Sequence, residues 1–122
     1  MSQCYTAGDV VLWNPSMRAS ALFLGQVRLF EKEFGLASGV GSMESDSCEV
    51  DVAVFGTFAR TLAADPTLRS HSVVRTLGQG FVVTVLAVAQ RAGLTEAWPP
   101  ASDALEGELR ESARSLEPSL AR

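Results

Sequence analysis

The chain has 122 residues, 47% of them hydrophobic and 20% charged, and a formal net charge of −4. That length fits one domain able to bury roughly two-thirds of the surface its unfolded form exposes, and the composition is too apolar for a disordered chain. The basic residues are nine arginines and Lys32, never clustered in a run, so the basic face that a nucleic-acid partner requires is not evident.

The first residues, MSQCYTAGD, show no basic stretch leading into an apolar one, and residues 1–8 read as frayed. The longest apolar-rich run, residues 81–89, is interrupted by Thr84 and is short for a bilayer span. A cytoplasmic setting with no membrane partner is expected, with Cys4 and Cys48 as reduced thiols whose spacing fits no zinc pattern. Residues 9–13, DVVLW, are of strand-forming type but have no obvious partner in the sequence. An extended segment lying across helices is therefore expected, because Pro15 pushes the residue before it toward extended geometry.

Asn14 and Pro15 open the first predicted helix, residues 15–34. Phe23, Val27, Phe30 and Phe34 recur at helical spacing, and Gly35 suits a left-handed C-terminal cap. Phenylalanines at that spacing read as core rather than as an aromatic binding box.

Residues 36–51, LASGVGSMESDSCEVD, then form a connection longer than the roughly two to eight residues usual between packed helices. Asp51 is a plausible cap for a second helix over residues 52–64. Asp65 and Pro66 repeat the cap-and-proline signal and begin a third helix that the apolar spacing carries to Ala92, closed by Gly93. Trp98, Pro99 and Pro100 interrupt regular structure. A fourth helix is expected from Ala104 until just before Pro118, weakly held because Leu105, Leu109 and Leu116 are its only large apolar residues.

Few groups carry chemistry. His71, the single histidine, could serve as a general base, but a lone histidine on a helix surface usually has no such role. Cys48 lies close to a predicted helix N-terminus, which favours a thiolate; Glu44, Asp46, Glu49 and Asp51 oppose that by their charge. The same four carboxylates do not fall at EF-hand spacing, and Gly39-Val40-Gly41 lacks the lysine of a phosphate loop. Neither a metal nor a cofactor is expected. Trp13 and Trp98 each stand beside a proline at the edge of the helical body, where tryptophan serves either packing or an interface.

Gly8 to Ser16, Phe30-Glu31, Gly35-Leu36, Ser38 to Met43, Asp46, Cys48, Asp51 and Val54-Phe55-Gly56 together resemble a family of small actinobacterial proteins of unknown function. The likeness covers residues 5–94 and leaves the tail unmatched; Val52 stands where proline is expected. It implies no activity, cofactor or catalytic residue. It implies a cytoplasmic actinobacterial protein encoded near specialised-metabolism genes.

The sequence therefore predicts an all-α fold: three main helices plus a weakly held C-terminal helix, with a short extended N-terminal segment. Residues 1–98 form a single helical domain and residues 99–122 a C-terminal helical extension. Two functions remain open. One is a binding or accessory protein, a homodimer or a partner to another protein, that presents the acidic loop and the Trp13 edge, with Trp13, Met43, Asp46 and Cys48 as binding residues. The other is a small enzyme or ligand-binding protein with an apolar pocket between helices for a small apolar ligand, and Asp46, Cys48 or His71 at its mouth.

Overall fold

The computed structural model describes residues 1–121. Strands β1 (Cys4–Ala7) and β2 (Val10–Trp13) come first, then helix α1 (Met17–Phe34), strand β3 (Ser47–Glu49), helices α2 (Val52–Ala63), α3 (Pro66–Ser70) and α4 (Ser72–Arg91), a 3-10 turn at Leu94–Ala97, and helix α5 (Ala104–Leu120). The fold is helix-rich but α/β. The all-α expectation is overturned by a mixed three-stranded sheet of order β2-β1-β3.

The sheet begins in residues that the sequence alone suggests are frayed. Gly8 and Asp9 make a two-residue turn, Gly8 supplying a φ of 61°, and bring β2 back antiparallel to β1. β2, the last four residues of the DVVLW segment, thus finds its partner within the chain. β3 then joins the other edge of β1 in parallel, pairing Tyr5 with Cys48 while Tyr5 also faces Trp13 across β2. Cross-strand partners share a face, so Trp13, Tyr5 and Cys48 form one row. Tyr5 is 1% exposed, and its phenol shares a buried 2.8 Å hydrogen bond with Ser20 of α1.

The helix signals hold with small changes. Ser16, not Asn14, caps α1, its hydroxyl accepting from the Ala19 N–H at 3.2 Å. Gly35 closes that helix at φ 63°. Asp51, Asp65 and Asp103 cap α2, α3 and α5. The long third helix is broken at His71, which is extended (φ −124°, ψ 103°) between α3 and α4. Ser70, His71 and Ser72 are poor helix formers, and the break re-aims the chain without interrupting the apolar spacing on either side.

α4 is the central helix, with Phe81, Val82, Val85, Leu86 and Val88 buried. By length and composition it could cross a bilayer, with a mean hydropathy of 1.6; the residues just named lie in the protein core, while Val73 and Leu77 near its start are exposed. α5 lies along it, burying Leu109, Ala113 and Leu120. Ion pairs Arg91–Glu117, at 3.2 Å, and Arg69–Asp103 fasten α5 to α4 and to α3. The expected weak attachment is corrected by this packing: Ala113 allows close approach where large residues are absent, and α5 runs through Pro118 to Leu120.

Candidate functional site

The 36–51 connection is a hairpin rather than an open loop. Its tip is a two-residue turn at Ser45 and Asp46, both at positive φ (51° and 61°). The flanking Glu44 and Ser47 exchange backbone hydrogen bonds of 2.8 and 3.0 Å, the arrangement of a tight hairpin turn. Further along, Gly41 donates to Glu49 at 2.9 Å and Asp51 to Gly39 at 2.8 Å, with Val40 and Val50 bridged and buried.

α1 holds the near arm. Arg28 donates to the carbonyls of Val40 and Gly41 at 2.9 and 2.7 Å and pairs with Glu31 at 3.0 Å. Glu31 in turn accepts both the N–H and the hydroxyl of Ser38, at 3.0 and 2.7 Å, and the same hydroxyl accepts from the Val40 N–H. Partial burial raises the Glu31 pKa, but the hydrogen bonds from Ser38 and Arg28 outweigh it and hold the carboxyl below its ordinary value. A carboxyl lowered by folding stabilises above its unfolded pKa and loses that contribution as pH falls through the folded one.

Glu31→Gln is therefore expected to cost about 1–2 kcal/mol at pH 7. The gap to wild type should begin to narrow as pH falls past the unfolded value of about 4.3 and close only below the lowered folded one. Urea melts of both proteins across that range check this; a gap independent of pH would remove the carboxylate from the account.

The sequence-predicted binding residues are placed as follows. Cys48 is 1% exposed, and its thiol donates to the Gly41 carbonyl at 3.3 Å. Burial pushes that thiol up, against a smaller opposing pull from Arg28, which disfavours the thiolate a nucleophile needs. Asp46 sits at the exposed turn, its carboxylate accepting from the Gln3 side chain at 3.2 Å and its carbonyl from the Cys4 N–H at 2.9 Å. Met43 is half-buried against the core. Trp13 stacks on Tyr5 at 5.6 Å between ring centroids and meets Phe23 edge-on at 5.2 Å.

The cleft that Trp13 lines beside Leu12 and Arg91 takes in none of Met43, Asp46 and Cys48, and His71 stands exposed at the α3–α4 break with no hydrogen-bond partner in common with Asp46 or Cys48 among the described residues. The loop carboxylates are separately engaged: Glu49 accepts from Thr6 and Gly8, and Asp51 from the Val54 N–H. Among the described residues no group of three His, Cys, Asp or Glu side chains could hold a metal ion.

The open apolar surface lies elsewhere, between α1, α3 and α4. A groove of about 650 Å³ runs there, with Phe30, Phe34, Leu68 and Gly78 in its lining and Leu29 and Leu77 also bordering it. Gly78 leaves room for the Phe30 ring, since a Cβ there would sit 3.3 Å from it. Leu77 is 78% exposed and Val73 69%, while on α1 Leu22 is 66% exposed. Leu77 shares the helical spacing of buried Phe81 and Val85, but spacing shows which residues share a face, not which part of that face a neighbour reaches.

No curated protein and no solved structure matches the chain. A family match, described as a family of unknown function (DUF6086), spans residues 1–122 and so takes in the C-terminal tail as well as the hairpin and the helical body; the chain belongs to that family.

Proposed function

We propose that the protein is a non-catalytic binding protein that works as a homodimer, with the α1–α4 groove as the surface joining two copies. The observation that supports this most directly is the ridge of Leu77 and Val73 standing beside the recess floored by Phe30, Leu68 and Gly78. An interface between identical copies related by a two-fold axis must be self-complementary, and a projecting ridge next to a recess meets that condition. Among the described residues Glu33 is the only charged one in the groove lining, so the matching face must itself be apolar and nearly uncharged. The exposed residues Leu22, Leu29, Val73 and Leu77 give this chain such a face. The hairpin and Trp13, tied into the sheet, then act as support rather than as the presented surface. The actinobacterial origin, cytoplasmic setting and specialised-metabolism context form part of this proposal and rest on the sequence resemblance.

Sedimentation equilibrium tests it. Wild type is expected at about twice its 13.0 kDa chain mass. Leu77→Glu, a change at an exposed position, is expected to weaken association by roughly 30-fold or more while leaving the circular dichroism spectrum intact. A strictly monomeric wild type overturns the proposal, as does a Leu77→Glu dimer of unchanged strength. Recruitment of a monomeric wild type to lipid vesicles would reassign the same face to a membrane.

A further inference from the structure

A second concavity, on a different side of the molecule, has the opposite character. It lies between α2, the Trp98–Ser102 connection and the first turns of α5, and encloses about 460 Å³, within the range of small-molecule sites. Thr57, Arg60, Thr61 and Ala64 line it at spacings of three, one and three residues, which is one face of α2. Trp98, Pro99 and Pro100 form an apolar wall facing them.

The charges are arranged unequally. Arg110 is immobilised: it pairs with buried Glu106, donates to the Pro99 carbonyl at 2.8 Å, and lies 5.5 Å from the Trp98 ring centroid. Its Nε is buried without a hydrogen-bond partner. Arg60 lines the same space, and among the described residues its guanidinium makes no hydrogen bond or ion pair. With Glu106 offsetting Arg110, the cleft keeps one uncompensated positive charge in a chain of net charge −4. The Thr57 and Thr61 hydroxyls donate to the carbonyls of Ala53 and Thr57, which leaves each oxygen able to accept a hydrogen bond but not to donate one.

We propose that this cleft binds a small organic monocarboxylate with an apolar body. Arg60 takes the carboxylate through its planar donor fork, the indole and prolines cover the apolar body, and a hydroxyl or amide N–H on the ligand donates to Thr57 or Thr61. A dianion such as phosphate fits less well, because Arg60 is the one cation in the lining not already paired and a second negative charge would find no partner there. The side of Arg110 is fixed before binding, so little ordering cost falls on that wall.

Titration of the full chain followed by ¹H–¹⁵N NMR tests the assignment, with benzoate, its neutral isostere benzamide and inorganic phosphate as probes. Benzoate is expected to shift the Trp98 indole N–H saturably, leaving that of Trp13 in place, while benzamide and phosphate bind at least roughly 10-fold more weakly. Arg60→Gln is expected to lower benzoate affinity about 10-fold or more, with Arg60→Lys intermediate. Arg60 is exposed, so both variants should keep the wild-type melting curve. Absence of a saturable Trp98 shift with benzoate overturns the proposal, as does equal binding of benzamide, stronger binding of phosphate, or an Arg60→Gln protein that binds as wild type. Leu77→Glu is expected to leave benzoate binding unchanged, which keeps this result separate from the test of the dimer.

Discussion

Gly39→Ala is expected to destabilise the protein by about 3 kcal/mol or more, through two costs that add. Gly39 has a φ of 81°, a left-handed region that disfavours an L side chain by roughly 1–2 kcal/mol. An added Cβ would also lie 2.5 Å from the Asp51 carbonyl oxygen, 2.9 Å from the Phe55 nitrogen and 3.1 Å from the Val54 Cβ. The first two are backbone atoms and the third is fixed to the backbone, so none can swing aside as the end of a flexible side chain would. Asp51 caps α2, accepting from the Val54 N–H at 3.2 Å through its carboxylate and from the Phe55 N–H at 2.9 Å through its carbonyl.

Relief of the clash would therefore require the hairpin arm to separate from the first turn of α2, giving up the Asp51–Gly39 backbone bond as well. Gly35→Ala provides the control. Gly35 is also left-handed, at φ 63°, but nothing lies within 4 Å of its would-be Cβ, so that variant should lose only about 1 kcal/mol. Equilibrium urea unfolding of the two variants separates conformational strain from steric conflict, and equal losses would show that the close approach at Gly39 contributes nothing.

Which features are legible in the sequence depends on how far apart the cooperating residues lie. Caps at Asp51 and Asp65, and the left-handed Gly35, can be read because each is a short-range interaction between one residue and the adjoining turn. The sheet is not legible. β1 is CYTA and β3 is SCE, too short for alternation to register, and they meet in parallel although more than forty positions separate Tyr5 from Cys48.

The hairpin is visible in the sequence only as a long polar connection, since Ser-Asp is a less obvious tight-turn pair than Asn-Gly. Yet Glu31, Ser38, Gly39, Gly41 and Asp51, all within the resemblance, are the residues that fasten it. Arg28, which clamps the near arm, could have been suspected from its spacing of three to Glu31. Nothing local marks Arg60: the role proposed for it depends on Trp98 and α5 closing over α2, and on its forming no ion pair among the described residues, Glu106 being paired with Arg110.

The deepest consequence for function follows from Phe81. Its ring lies 4.5 Å from Phe30, 5.7 Å from Phe23 and 6.5 Å from Phe58, measured between centroids, so one side chain joins α1, α2 and α4. Phe81→Ala is expected to cost about 3–5 kcal/mol, as transfer energy and cavity cost combine, and to lower the thermal midpoint by roughly 10 °C or more. Phe81→Leu, which keeps much of the volume, should cost well under half of that.

Phe30 rests on Phe81 from one side and lines the α1–α4 groove from the other. Loss of the Phe81 ring lets Phe30 sink into the vacated space, changing the floor that a second copy would seat against. If the proposed dimer forms, Phe81→Ala should thus weaken it even at temperatures where each chain remains folded, an effect Phe81→Leu should largely avoid. Sedimentation of both variants about 20 °C below their own thermal midpoints, where the remaining margin of stability still keeps the chains native, decides the matter: if Phe81→Ala associates as tightly as wild type, the groove floor and the core are mechanically independent.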